Sequence, residues 1–126
     1  MARILIVDDE EAIRDLIKEV LSGGGHEIHL AEHGAQAFEI LRKKTVDLAI
    51  IDRNMPGMTG IEVVQLIRQN PKTVGVRILM CTGASITKEI DEAFAAGADD
   101  YVLKPLNFAQ LLGKVAKALA SPPRTA

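Results

Sequence analysis

The amino-acid sequence predicts an α/β protein built on a doubly wound parallel sheet of five strands with five covering helices. Five short apolar segments alternate along the chain with five helical patterns, and this alternation is typical of parallel sheets covered on both faces. The third segment, residues 46–51, is almost wholly apolar, as a strand buried on both faces requires, and it runs directly into Asp52. With 126 residues, 48% of them hydrophobic, the chain is expected to form one globular domain.

Three strands and two helices are predicted in the first half of the chain. Residues 4–7 form a β-branched run typical of a buried strand, and residues 26–31 alternate between apolar and polar side chains, which indicates a half-buried edge strand. A second helix, about residues 35–44, leads into the central strand, 47–51. The first helix ends at a run of glycines, and its apolar residues have the spacing of one helix face: Ile13, Leu16, Ile17, Val20 and Leu21.

Two strands and three helices are predicted in the second half. The third helix spans about 60–70 and is closed by Pro71, and the strand 77–82 ends in a hydroxyl. The fourth helix, about 86–96, carries Ile86, Ile90 and Phe94 on one face, and the fifth strand, 101–103, is short. The last helix is expected to begin after the N-cap residue Asn107 and to bury five apolar side chains: Phe108, Leu111, Leu112, Val115 and Leu119.

Composition argues against several classes of protein. The net charge is −2 and the basic residues are dispersed, so the chain has no nucleic-acid-binding footprint. The single cysteine, Cys81, lies in an apolar run and cannot form a disulfide within the chain. No apolar run approaches the length of a membrane span, and the amino terminus does not resemble a secretory signal. The expectation is a cytoplasmic protein without a membrane or nucleic-acid partner.

Polar residues follow four of the five predicted strands, at the point where each strand ends. The first strand is followed by Asp8 and Asp9, the third by Asp52, and the others end in Thr82 and Lys104. The carboxyl ends of parallel strands meet at one edge of the sheet, where ligands bind. If the first and third strands are neighbours, each pair of carboxylates at about 5 Å costs roughly 3 kcal/mol at an effective dielectric of about 20. A hard cation such as Mg²⁺ would relieve this repulsion.

Each of these residues also has an ordinary structural interpretation. An aspartate can cap a helix or a turn, a threonine or tyrosine is common in strands, and a lysine is usually solvated. Any one of these interpretations is adequate for its own residue. Their coincidence at the ends of four strands of one small sheet favours a functional site.

Four segments of the sequence carry a resemblance to a known family. They are Val7-Asp8-Asp9, Asp52-x-x-Met55-Pro56-x-Met58-x-Gly60, Thr82-Gly83-Ala84 and Tyr101-x-x-Lys104-Pro105. This pattern, in this order, resembles the receiver domain of two-component response regulators, and the resemblance extends over residues 3–120. It implies a flavodoxin-like fold with strand order 2-1-3-4-5. It also implies a receiver domain at 1–120 followed by a tail or the start of a linker at 121–126.

The resemblance implies a role for each residue of the predicted site. Asp52 would accept a phosphoryl group from the phosphohistidine of a sensor histidine kinase or phosphotransfer protein. Mg²⁺ would be bound by Asp9, Asp52 and the backbone carbonyl of Asn54, with Asp8 acting through water. Lys104 would pair with the phosphoryl oxygens, and the hydroxyl of Thr82 would bond to one of them. A cis Lys104–Pro105 bond is implied as well, whereas only about 5–6% of X-Pro bonds in folded proteins are cis.

The resemblance also implies how the signal would be transmitted. Thr82 and Tyr101 would shift the face formed by the fourth helix, fifth strand and fifth helix, and so control a downstream protein, an output domain or a phosphorylation-dependent dimer. Such a chain would be no enzyme beyond its own phosphorylation and dephosphorylation. Thr59, where an aspartate is frequent, and Arg53, directly after the acceptor, depart from the common pattern. These two positions bear on kinase docking and on access to the site.

Two alternative functions use the same residues differently. A phosphatase of the haloacid-dehalogenase type would use an aspartyl nucleophile, but it usually needs a second acid two residues later, where this chain has Asn54. A flavodoxin-like flavin or nucleotide binder would need a glycine-rich loop after the first strand. Residues 8–11 are all acidic and would repel a phosphate unless a metal intervened. Incubation with Mg²⁺ and a small phosphodonor distinguishes the three functions.

Overall fold

The computed structural model describes residues 2–83 and 87–123, which form a five-stranded sheet with helices on both sides. The strands are β1 (Arg3–Val7), β2 (Glu27–Ala31), β3 (Leu48–Asp52), β4 (Arg77–Thr82) and β5 (Asp100–Leu103). The helices are α1 (Glu11–Ser22), α2 (Gly34–Lys43), α3 (Gly60–Gln69), α4 (Thr87–Ala96) and α5 (Phe108–Ala120). The strand order is β2-β1-β3-β4-β5, and every neighbouring pair is parallel. The predicted fold class and strand order are confirmed.

The register of the sheet brings the polar strand ends to one edge. Val7 of β1 is paired with Ile51 of β3, and Asp52 is paired with Cys81 of β4. Thr82 at the end of β4 is paired with Leu103, the residue before Lys104. Because all strands run the same way, this edge collects the residues that follow each strand.

Alternate residues of each strand face two separate cores. Ile4 and Ile6 of β1 point towards α1 and α5 and lie in a core with Ile17, Leu111 and Val115. The neighbouring strand residues point to the other side, where α2, α3 and α4 cover the sheet. That second core contains Leu5, Val7, Ala37, Leu41, Val63, Val64, Ile67 and Ala93. Burial on both faces explains why the central strands are apolar between their polar end residues.

Most element predictions are confirmed, with two details of interest. Strand β2 lies at the edge of the sheet and is only partly buried, as its alternating sequence predicted. The side chain of Asn107 caps α5 by accepting a hydrogen bond from the backbone N–H of Gln110. Ala84, Ile86 and residues 124–126, which entered the sequence predictions, lie outside the described residues. None of the helices in the described ranges is long and apolar enough to cross a membrane.

The predicted burial of several helix residues is wrong. Phe108 and Leu112 of α5 are exposed, whereas Leu111, Val115 and Ala118 face the sheet. Phe108 is the first residue of α5, and Leu112 lies about 100° from Leu111 around the helix, outside the covered stripe. Leu16 and Phe94, expected on the apolar faces of α1 and α4, are exposed as well. The apolar pattern of each helix is wider than the stripe that the sheet covers.

Candidate functional site at the carboxyl edge of the sheet

Three of the predicted site residues meet at the carboxyl edge of the sheet. The Nζ atom of Lys104 donates to Asp8 Oδ2 at 3.2 Å and lies 3.3 Å from Asp52 Oδ1. Asp8 follows β1, Asp52 ends β3 and Lys104 follows β5, so the cluster joins three strands. Both carboxylates are buried, with Asp52 only 3% exposed. The Lys104–Pro105 peptide bond is cis, as the family pattern implied.

The loop after β3 wraps around the Asp52 carboxylate. The backbone N–H of Asn54 donates to Asp52 Oδ1 at 3.3 Å. Helix α3 begins at Gly60, where a Cβ atom would lie 2.2 Å from the carbonyl oxygen of Asp52. Only glycine allows this close approach of the two backbones. The side chain of Thr59 caps α3 in a capping box with Glu62, which sets where the loop ends.

Burial and neighbouring charges perturb the acid–base properties of the cluster. The pKa of Asp52 is raised from 3.8 to about 6, first by burial and then by the charge of Asp8, while Lys104 and the N–H of Asn54 oppose this shift. Burial lowers the pKa of Lys104, but the carboxylates of Asp52 and Asp8 outweigh it, so the net pKa is above its usual value. Lys104 is therefore a permanent cation beside an unusually basic carboxylate.

A second group of acids adjoins this cluster. Carboxylate oxygens of Asp8, Asp9 and Glu10 lie within 4.8 Å of one another, with Asp8 buried and the other two exposed. The N–H of Glu10 donates to Asp8 Oδ1 at 2.9 Å, which fixes the turn between β1 and α1. Carboxylate oxygens are the ligands that Mg²⁺ prefers, so the donor set fits a hard divalent cation. Glu10 was not predicted as part of this group.

Two arginines to which the sequence analysis gave no part in the site's chemistry support the site. Arg14 of α1 is buried and donates to the backbone carbonyl of Asp8 at 2.7 Å, and its other terminal nitrogen is 3.6 Å from Glu32. A signal was present in the sequence, because Arg14 lies three residues before Ile17, on the face of α1 that packs against the sheet. A buried arginine usually has a fixed partner, and here it anchors the end of β1.

The other arginine connects the loop after β3 to α4. Arg53, whose side chain is 14% exposed, lies 3.4 Å from Glu89 and 2.8 Å from Glu92, both on α4. Its backbone N–H donates to the carbonyl of Cys81 at 2.8 Å. Sequence reasoning could not have found this pairing, because the partners are distant along the chain and only the packing of α4 brings them close.

The two predicted switch residues occupy different surroundings. Thr82 is buried at the end of β4, and its carbonyl accepts the N–H of Lys104 at 2.8 Å. Tyr101 is half-buried, and its contacts are to α4 and α5. The ring of Phe94 meets it edge-on with centroids 6.0 Å apart, and Lys114 Nζ lies 4.3 Å from its ring centroid. Aromatic and cation–π contacts of this kind favour one ring position.

Comparison with known proteins agrees with the fold. Residues 4–116 match the family described as the response regulator receiver domain. The uncharacterized transcriptional regulatory protein YrkP of Bacillus subtilis is 41% identical over 113 residues, which cover 90% of this chain and 47% of that protein. The chain spans about half the length of the curated relatives it matches, 47–51% in three of them.

Solved structures give the same result. The chemotaxis protein CheY4 of Vibrio cholerae superposes with a TM-score of 0.90 at 34% identity, covering 94% of this chain and 99% of that chain. The response regulator TrrA of Thermotoga maritima, solved in complex with Mg²⁺ and BeF, has a TM-score of 0.83 at 42% identity and covers 94% of this chain and 100% of that chain. The chain therefore belongs to the response regulator receiver domain family of two-component signalling.

Proposed function

We propose that the chain is a phosphorylation-activated switch in which Asp52 accepts a phosphoryl group from the phosphohistidine of a sensor histidine kinase or phosphotransfer protein. The observation that carries the proposal is the buried Asp52 carboxylate, held at the end of the central strand by Lys104. A carboxylate with a raised pKa is a stronger nucleophile than a solvated one, and perturbed groups of this kind concentrate at functional sites. Family membership supports the same role.

The contacts of Asp52 suggest how the transfer proceeds. Oδ1 is near two donors, the Asn54 N–H and Lys104 Nζ, so Oδ2 is the atom that would attack phosphorus. The new O–P bond forms as the N–P bond of the phosphohistidine breaks. The electron pair of that bond stays on the imidazole, which leaves as the neutral ring when its other nitrogen carries a proton. Asp52 must be ionised to attack, so its protonation opposes the reaction.

The charge balance of the site explains the need for cations. Asp9, Asp52 and the backbone carbonyl of Asn54 would hold Mg²⁺, with Asp8 acting through water and Glu10 close enough to contribute a further carboxylate. When bound, the ion would offset the repulsion between the carboxylates and the incoming phosphoryl group. Lys104 would turn from Asp52 Oδ1 to the phosphoryl oxygens, and the Thr82 hydroxyl would donate to one of them. The solved complex of TrrA with Mg²⁺ and BeF supports the binding of Mg²⁺.

Phosphorylation would be read out through Thr82, Tyr101 and α4. Movement of Thr82 towards the phosphoryl group would leave space that the ring of Tyr101 can fill. Helix α4 buries only Ala93 among its described residues, so it is a region of low local stability. Arg53 ties the acceptor loop to Glu89 and Glu92 of this helix, which gives the loop a direct connection to the same surface. The phosphoryl group would shift the population between two arrangements.

Several partner and location predictions stay predictions. A downstream protein, an output domain or a phosphorylation-dependent dimer is the expected receiver of the signal. The absence of direct nucleic-acid contact was predicted for this chain, while the matched relatives include transcriptional regulators about twice its length. The cytoplasmic location, the self-catalysed loss of the phosphoryl group and the division into 1–120 and 121–126 likewise stay predictions.

The phosphoacceptor is tested by labelling with acetyl phosphate and Mg²⁺, followed by intact-mass measurement. The parent should gain one phosphoryl group and Asp52→Asn none. Asp15→Asn, an exposed change on α1, is the matched control and should label like the parent. Stoichiometric labelling of Asp52→Asn would remove Asp52 from the acceptor role. Rapid turnover of many equivalents of donor would instead favour the phosphatase alternative.

The readout is tested by amide NMR with beryllofluoride, a mimic of the phosphoryl group. Large shifts are expected from Thr82 to Lys104 in the parent, and these should shrink in Thr82→Ala because the hydroxyl is missing. A response restricted to residues 52–60 in both proteins would show that the signal does not travel through Thr82.

A further inference from the structure

The amino edge of the sheet, opposite the phosphorylation site, has a groove of mixed character. It runs between α2 and the connection from α3 to β4, and it consists of three adjoining cavities of about 500, 490 and 240 Å³. Neighbouring cavities share lining residues, so they form one continuous groove. We call this surface the α2–α3 groove; its principal residues are Phe38, Leu41, Leu66, Lys43, Lys44 and Lys72.

One end of the α2–α3 groove is apolar. It is lined by Phe38, Leu66 and Pro71, together with the amide side chains of Gln69 and Asn70. Leu66 is 41% exposed, although Val63 and Ile67 of the same helix are fully buried. Phe38 packs against the core with only part of its ring. An exposed leucine beside a half-buried aromatic ring offers apolar area that a partner could cover.

The other end is strongly basic. The lining residues with charge are Arg42, Lys43, Lys44 and Lys72, and among the described residues no carboxylate lines this part of the groove. Glu39 forms ion pairs with Arg42 and Lys43 from outside the lining. This excess of positive charge occurs in a chain whose net charge is −2. The charges are therefore segregated, and the groove is complementary to an acidic ligand.

We propose that the α2–α3 groove binds an acidic amphipathic helix of a partner protein. Apolar side chains of that helix would cover Leu66 and Phe38, while carboxylates on its next turn would lie beside Lys43, Lys44 and Lys72. A groove that binds a helix takes apolar anchor side chains spaced along one face of that helix. The apolar end of the α2–α3 groove would take these anchors, and its basic end would take the carboxylates of the next turn. A free anion would leave the apolar end uncovered, and a nucleic acid would gain little from an exposed leucine.

The position of the groove separates this interaction from phosphorylation. The groove lies at the amino ends of the strands, whereas Asp8, Asp52 and Lys104 lie at their carboxyl ends. A helix in the groove would leave the acceptor site accessible to a kinase. The interaction is therefore expected in both the phosphorylated and the unphosphorylated protein, and the proposal does not rest on the role of Asp52.

The proposal is tested with a synthetic peptide of about 12 residues, or three helical turns, whose groove-facing side carries leucines in the first turns and glutamates in the last turn. The control peptide has lysine in place of every glutamate. Titration of the parent followed by amide NMR should shift residues of the α2–α3 groove with the acidic peptide only. Affinity should fall at least tenfold in Leu66→Ser and in the double variant Lys43→Glu/Lys72→Glu, and also on raising the salt concentration. Lys88→Glu/Lys117→Glu, the same charge change on α4 and α5, should bind like the parent.

Four results would overturn the proposal. They are equal binding of the two peptides, shifts centred on α4 and α5, the same groove shifts produced by inorganic pyrophosphate alone, and groove shifts caused by self-association without peptide. The titration is repeated with Asp52→Asn, where binding should persist. Failure of phosphoryl labelling and failure of peptide binding are thus separate results, because each is measured independently of the other.

Discussion

The two edges of the sheet use the same residue type, lysine, in opposite ways. At the carboxyl edge Lys104 is 21% exposed and lies between two buried carboxylates, Asp8 and Asp52. At the amino edge the lysines are solvated; Lys43, for example, is 64% exposed and pairs with an exposed glutamate. Burial strengthens the interactions between the charges at the carboxyl edge, so that each charge affects the others. Water and salt screen the interactions of the exposed lysines at the amino edge.

This difference shows where chemistry and where recognition are expected in the molecule. The buried charges shift one another's pKa values, which is useful for accepting a phosphoryl group. Exposed charges at the amino edge have little effect on folding and remain available to a partner. Three predictions sharpen this contrast, in order of decreasing effect.

The largest effect is expected from replacing the buried lysine. Lys104→Met should destabilise the protein by about 2–4 kcal/mol at pH 8, because it leaves two buried carboxylates without their cation. Lys72→Met at the amino edge is the matched control and should change stability by less than about 0.5 kcal/mol. Urea denaturation measures both. The cost of Lys104→Met should shrink as the pH falls and Asp52 becomes protonated. Equal costs for the two variants would contradict the contrast between the edges.

An intermediate effect is expected from neutralising Asp52 in metal-free protein. The pKa of Asp52 is higher in the folded state than in the unfolded state. Its contribution to the free energy of unfolding is therefore complete below pH 3.8 and is lost as the pH rises through about 6. Asp52→Asn, which cannot ionise, should therefore be more stable than the parent above pH 6, by about 1–3 kcal/mol. The two should converge near pH 4.

Urea denaturation between pH 4 and 8 measures this difference, with Asp15→Asn as the exposed control. The control should follow the pH dependence of the parent. If Asp52→Asn is no more stable than the parent at pH 8, burial does not penalise the Asp52 charge.

The smallest effect is expected from Mg²⁺. At about ten times Kd the ion should stabilise the parent by about 1.4 kcal/mol, seen as a rise in Tm of several degrees. The rise should be much smaller in Asp9→Ala, whose metal-free Tm should itself increase slightly because repulsion is reduced. Glu10→Ala is the neighbouring control and should keep most of the rise. If Glu10→Ala, and not Asp9→Ala, lost the Mg²⁺-dependent rise in Tm, Glu10 rather than Asp9 would be the metal ligand.

The sequence predicted much of the site, because its signals are local. Asp8, Asp52 and Lys104 each follow an apolar strand, and parallel strands bring such residues to one edge. The cap at Asn107 and the edge position of β2 were visible in a few neighbouring residues for the same reason. A pattern of alternation or capping depends on contacts within one element, so it can be recognised without the rest of the chain.

The features that were missed depend on contacts between distant elements. Arg53 pairs with Glu89 and Glu92 only because α4 packs beside the loop after β3. Phe108 was expected in the core because it is apolar and in register with buried residues, but it is the first residue of α5 and is exposed there. The α2–α3 groove brings basic side chains of α2 close to Lys72, which follows α3. This proximity cannot be read from the sequence, where the basic residues are dispersed.

By itself, the sequence determined the fold class, the alternation of strands and helices, and the identity of the residues at the strand ends. These follow from hydrophobic periodicity and from turn and cap residues, which act over a few positions. Only the tertiary structure decided that Asp52 is buried beside Asp8, that Lys104 pairs with both, and that the pKa of Asp52 rises to about 6. Desolvation and Coulomb energy depend on distances through space, and those distances exist only after the strands have assembled.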